Sequence, residues 1–245
     1  MRIGIALVPA ALAATLAAVS ANAQDLGRYK AVSPVYDVPL GTPLTQLSPS
    51  DYTLASCGSN GGPPGARLTS FSDFKKCAVE RDTGLREVWF MFDDEVSYTY
   101  RAIRDKARAL VYDQNTLYDH PILSSFLVDS NGDIRGYRVV TDPREDNASR
   151  ASAFLTSEQM KAIAGHAETT TCVSIPMATG QDMVDGDFVN QECREKSPTR
   201  VVTIITHLFR KPGQLAVDPV TGLRTTDAFE SSARLELYDP RYSGK

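Results

Sequence analysis

Four cysteines limit what this chain can fold into more than any other feature. Cys57, Cys77, Cys172 and Cys193 form two pairs, each spaced by about 20 residues. Their meaning depends on the compartment, and the N-terminus speaks to that. Met1-Arg2 is a short positive start, residues 3–19 are apolar and uncharged, and Ala21-Asn22-Ala23 has the small–x–small form of a signal-peptidase site. Residues 1–23 are therefore expected to be a cleavable signal peptide, with the mature chain starting at Gln24. A membrane anchor is the rival reading. The stretch is mostly alanine, is interrupted by Pro9 and ends in polar Ser20 and Asn22, so it is weak as a bilayer span.

Export implies an oxidising space, where an even number of cysteines reads as disulfides. Three pairings are open. Cys57–Cys77 with Cys172–Cys193 is favoured, because short loops close at the least entropic cost. Each bridge would stabilise the fold by about 3 kcal/mol. Structural zinc needs cysteine pairs only a few residues apart, and a redox site needs Cys-x-x-Cys; the chain has neither.

The net charge is −4, and cleavage also removes Arg2, so the exported chain is mildly acidic with scattered basic residues. That argues against a nucleic-acid partner. No later segment is long and apolar enough to anchor the mature chain in a membrane. Residues 24–245 are read as a single exported domain, with two similar halves, about 35–142 and 143–245, as the alternative. In each half a cysteine pair leads into a strongly apolar strand.

The expected fold class is α+β: antiparallel sheet with two or three helices and disulfide-stapled loops. Residues 35–41 read as a short strand running into a turn, and Ser48-Pro49 as the start of a helical turn through Tyr52. Arg86–Phe92 is a central strand by its aromatic and branched residues. The segment 95–111 carries a helical stripe, Val96, Tyr100, Ile103, Ala107 and Leu110, although alternation at 96–102 also fits a strand; helix is preferred. Residues 122–128 and 134–141 form a hairpin, with Asn131-Gly132 expected to place both central residues at positive φ. A helix is expected over 150–166, with Phe154, Leu155, Met160, Ile163 and Ala164 on its buried face. Val201–Phe209 and Phe229–Tyr238 are strands, and 239–245 is a frayed tail.

Chemical motifs are weak. Asp129, Asn131 and Asp133 resemble part of a calcium loop but lack the later bidentate glutamate, and the hairpin accounts for them without a metal. Asp182, Asp185 and Asp187 are a second acidic cluster, read as a solvated loop. His120, His166 and His207 form no close pair. Asp119, His120, Ser124 and Ser125 are neighbours in sequence, with no Gly-x-Ser-x-Gly elbow to hold a nucleophile. No phosphate-binding loop or other cofactor motif is present, so no cofactor or metal is expected. Trp89 is read as core. Asn147-Ala148-Ser149 fits an N-glycosylation acceptor.

The reading that follows is a periplasmic or secreted, non-enzymatic protein that binds an envelope protein or a small ligand. The alternative is an envelope hydrolase whose site assembles only in the fold. A deep pocket gathering histidines and aspartates with perturbed pKa values favours the hydrolase. An open body with an exposed apolar patch favours binding, and a structural subunit would show an uncovered strand edge.

Overall fold

A computed structural model describes residues 35–47, 52–62, 64–92, 116–117, 120–143, 147–165, 170–215, 217, 220–223 and 228–242. The expected signal peptide, the helix over 95–111, Ser48–Asp51, Asp119 and His166 lie outside these residues.

The strands are β1 (Tyr52–Cys57), β2 (Arg67–Leu68), β3 (Arg86–Phe92), β4 (Thr116–Leu117), β5 (His120–Val128), β6 (Ile134–Thr141), β7 (Thr171–Ser174), β8 (Val189–Lys196), β9 (Val201–Phe209) and β10 (Glu230–Tyr238). They join in one ten-stranded antiparallel sheet, ordered β2-β1-β3-β5-β6-β10-β9-β8-β7, with β4 beside β5. Among the described residues two short helices, α1 (Asn147–Ser152) and α2 (Ser157–Ile163), accompany the sheet in an α+β fold with two disulfides.

Period-two alternation gives the sheet a core face. Val88 and Phe90 of β3, Phe126 of β5, Val139 of β6, Leu235 of β10 and Ile204 of β9 are all buried. Phe90 stands edge-on between Phe71 and Phe126, with ring centroids 5.7 and 5.0 Å away. Full burial of a ring such as Phe126 stabilises the fold by about 2–3 kcal/mol. Met160 and Ala164 of the helical segment close the core over β9 and β10.

Cys57 is joined to Cys77, fastening β1 to the 3-10 helix Phe71–Lys76. Cys172 is joined to Cys193 directly across the β7–β8 ladder. These are the two short-loop pairs.

Several local expectations are corrected. Residues 35–37 form a 3-10 turn rather than a strand. Pro39 has no N–H for a ladder, and Gly41, at φ 94°, turns the chain so that its N–H reaches the carbonyl of Ile134. Tyr52 belongs to a strand and not to a helical turn. The helix over 150–166 is broken: α1, a 3-10 turn at Ala153–Thr156, then α2. The Thr156 hydroxyl donates to the Ala153 carbonyl at 2.7 Å, within that tighter turn. The change of pitch rotates Leu155 outward, to 54% exposure. Gly165, at φ 73°, ends the segment. The tail is not frayed through residue 242: Pro240–Tyr242 is a 3-10 turn, held by an Asp239–Arg241 ion pair and by Arg135 stacked over Tyr242.

The β5–β6 hairpin forms, with a different turn. Only Gly132 has positive φ in it, at 91°. Gly132 N–H donates to Asp129 O, and Asp129 N–H to Asp133 O, which is a right-handed turn followed by a glycine bulge. The Asp129 carboxylate selects it by accepting the N–H groups of Asn131 and Asp133. The doubly positive turn occurs instead at Asp185-Gly186, with φ 52° and 97°, between Val184 and Asp187.

Candidate functional site

On the face opposite the core, the same alternation leaves the other half of β8, β9 and β10 partly exposed, while on β3, β5 and β6 that face is largely buried. Glu192, Arg194 and Lys196 of β8, Val201, Thr203, Ile205 and His207 of β9, and Ser232, Arg234, Glu236 and Tyr238 of β10 line an open groove of about 950 Å³. Val140, Asn60, Asp82 and Pro240 complete it. The cross-strand register sets these rows side by side: Glu192 by Ile205, Arg194 by Thr203, and Glu236 by Thr203 from the other side.

One wall is anchored in the interior. Arg138 of β6 is 1% exposed and grips three carboxylates. Nη1 and Nη2 donate to the two oxygens of Glu80 at 2.7 and 3.0 Å. Nε and Nη2 donate to Glu236 Oε2 at 2.9 and 2.5 Å. Glu236 also accepts from Arg234, which in turn holds the carbonyl and side-chain oxygens of Asn60 at 2.7 and 2.6 Å. Asn60 sits at φ 61° and donates its N–H to Glu87 at 2.6 Å. The glycine-rich loop after β1 is thereby fastened to the groove wall. Burial raises the Glu80 carboxyl, but the hydrogen bonds and charge of Arg138 outweigh it and hold Glu80 below the usual range.

Charges within the groove are mostly paired. Arg194 bonds Glu192 along β8, and Arg234 bonds Glu236. Lys196 has no ion pair among the described residues. Burial raises the Tyr238 hydroxyl, with Glu236 adding to the shift. His207 lies between Asn190 and Ser232 across the ladders. Burial lowers its imidazole below the ordinary value, against the opposing charge of Glu230.

The residues singled out for chemistry do not converge. Ser124 and Ser125 are buried in β5 and point to opposite faces. His120 lies instead beside Ser152 of α1, with Nε2 3.3 Å from Oγ. These two are 32 residues apart, and nothing in the sequence links them. In the Asp129–Asp133 loop, Arg135 donates to both aspartates at 2.7 Å, a cation of the protein's own in the place a calcium ion would take. The Asp182 carboxylate accepts the Met183 N–H, and its backbone pairs with that of Arg210. Among the described residues no cluster of His, Cys, Asp or Glu is arranged to hold a metal ion. No helix among them is long and apolar enough to cross a membrane.

The β7–β8 and β9–β10 loops also carry apolar residues: Met177 and Met183 on the first, and Leu215, Val217, Val220 and Leu223 on the second, are 40–91% exposed. The loops touch through Asp182 and Arg210, and through the close approach of Gly180 to Pro212.

No protein-family model matches the chain, and neither does any curated protein or solved structure.

Proposed function

We propose that this is a periplasmic or secreted, non-enzymatic binding protein whose ligand lies along the β8–β9–β10 face. The observation that carries the reading is the groove itself. It is open along the strands, it alternates aliphatic floor with charges, and its carboxylates Glu192 and Glu236 are tied to Arg194 and Arg234 rather than set against His207. Rigid strands and the Arg138 anchor make it pre-organised, which lowers the cost of binding. The floor of Val201, Ile205 and Val140 suits an elongated ligand, such as an extended peptide, and Lys196 suits an acidic group on it. The two disulfides support the oxidising location, and the continuous sheet supports reading residues 24–245 as one domain.

The test is affinity capture from the native envelope fraction with the mature protein, beside Ile205→Arg and Lys196→Glu. A ligand retained by the wild type and lost from both variants is expected. Equal retention by all three would remove the groove from the function.

An envelope hydrolase is the second reading, favoured by the 3.3 Å contact of Ser152 with His120. A fluorophosphonate adduct on Ser152, with esterase activity lost in Ser152→Ala, would replace the binding reading.

A further inference from the structure

The β7 strand ends the sheet, and we propose that it is a self-pairing edge through which two copies of this chain join their sheets. All four residues, Thr171–Ser174, are exposed, and β8 is the neighbour of β7 in the sheet. The direction of its free backbone groups follows from the register. Ile175 N–H donates to Asn190 O at 2.7 Å, which makes that pair a hydrogen-bonded one. Alternation then gives Val173–Glu192 and Thr171–Arg194 the same role. Cys172 and Ser174 fall at the intervening positions, so their N–H and C=O groups point away from β8 into open space. Among the described residues nothing answers them.

Natural edges are blunted by lysine, proline or a bulge. Here no charge occurs between Thr169 and Gln181, Pro176 lies just beyond the strand, and the β7–β8 register runs without a shift. The Cys172–Cys193 bridge holds the edge in strand geometry before any partner arrives.

The second copy is singled out by self-complementarity. Place a two-fold axis at Val173 and run the strands antiparallel. Cys172 then faces Ser174 of the other copy, and the reverse, giving four backbone hydrogen bonds. Val173 faces its own counterpart at the closely spaced position, and Thr171 faces Ile175 on either side. All three are β-branched. Val173 and Ile175 are 59% and 42% exposed in the single chain. No like charges meet. Directly opposed side chains share a face, so the two grooves lie on the same side of one continuous sheet. Five residues per copy is a small contact, so the association is reversible and concentration-dependent.

Sedimentation of the mature chain from about 1 µM to 1 mM reads the association. The wild type is expected to pass from monomer to dimer in that window. Val173→Lys, which opposes two ammonium groups on the axis, and Ser174→Pro, which removes an outward N–H, should each weaken dimerisation at least tenfold. Val220→Lys, on an exposed loop elsewhere, should not. Peptide mapping of both disulfides checks that the variants fold. Independently of any variant, amide exchange at Cys172 and Ser174 should slow as concentration rises. A wild type that stays monomeric at the highest concentration overturns the proposal, as does a dimer in which those two amides stay unprotected.

Discussion

Arg138 and Glu87 meet where neither reaches water: Nη1 lies 2.8 Å from Oε2, and the side chains are 1% and 2% exposed. A buried ion pair repays its desolvation only when its remaining hydrogen-bonding positions are filled. Here they are. Glu80 and Glu236 take the other guanidinium positions, and the Asn60 N–H takes Glu87. The pair thus couples β3, β6 and β10 to the loop after β1, so groove stability and groove shape share one cause.

Removing the cation alone should therefore cost more than its contacts suggest. Arg138→Met leaves Glu87 buried with no counter-charge, and we expect a loss of about 3–5 kcal/mol in urea unfolding. Adding Glu87→Gln to that variant should restore part of the loss. A single variant within 1 kcal/mol of wild type would show that the interior site is wet.

The same network predicts the acid limb of stability. Burial works against the Glu80 carboxylate, but Arg138 more than compensates, so its pKa is lower folded than unfolded. Asp129 is lowered likewise, burial being outweighed by Arg135 and two backbone N–H groups. A depressed carboxyl stabilises the fold above its unfolded pKa and loses that contribution as pH falls through the folded value. Urea midpoints should hold near neutrality and drop below about pH 4. Glu80→Gln should flatten that drop; an unchanged slope would remove Glu80 from the cause.

Much of the sheet was legible in the sequence because its buried half is written in long apolar runs. Trp89 and Phe90 in β3, Phe126 in β5, and Ile204 in β9 announce strands by their bulk and branching. The groove was not legible, because it uses the complementary residues. β8, Val-Asn-Gln-Glu-Cys-Arg-Glu-Lys, buries only Cys193 and carries no apolar pattern. Arg138 looks like an ordinary solvent-facing strand residue until the chain around Glu80 and Gly61 folds over it. The Asn131-Gly132 turn departs from the dipeptide's preference because a local carboxylate, Asp129, outweighs it. Leu155 leaves the buried face for a related reason: a hydroxyl at Thr156 accompanies a change of helical pitch, which sequence periodicity assumes constant.

The two disulfides should differ under a mild thiol reductant. Cys57 and Cys77 are 8% and 2% exposed, whereas Cys172 lies on the exposed edge strand. Thiol attack needs access to sulfur, so Cys172 and Cys193 should be alkylated first. Time-resolved alkylation with peptide mass analysis gives the order. The reverse order would mean that β1 and its disulfide open more readily than the β7 edge.

Two glycines separate backbone conformation from packing as reasons for a missing side chain. Gly186 stands at φ 97° in an open turn, with nothing within 4 Å of where a Cβ would be. Alanine there meets only the left-handed penalty, about 1–2 kcal/mol. Gly136 lies within β6 beneath β10, and its Cβ would fall 2.2 Å from the Leu237 carbonyl oxygen and 2.6 Å from Tyr238 Cβ. Those atoms belong to a paired strand, so relief requires β10 to move from β6, which also shifts Glu236 away from Arg138. Gly136→Ala should cost about 3 kcal/mol or more, the upper end for overpacking. It should also weaken ligand capture, which Gly186→Ala should leave intact. Thermal unfolding of both variants decides the ranking, and a Gly136→Ala protein as stable as Gly186→Ala would show that β6 and β10 are not held together this tightly.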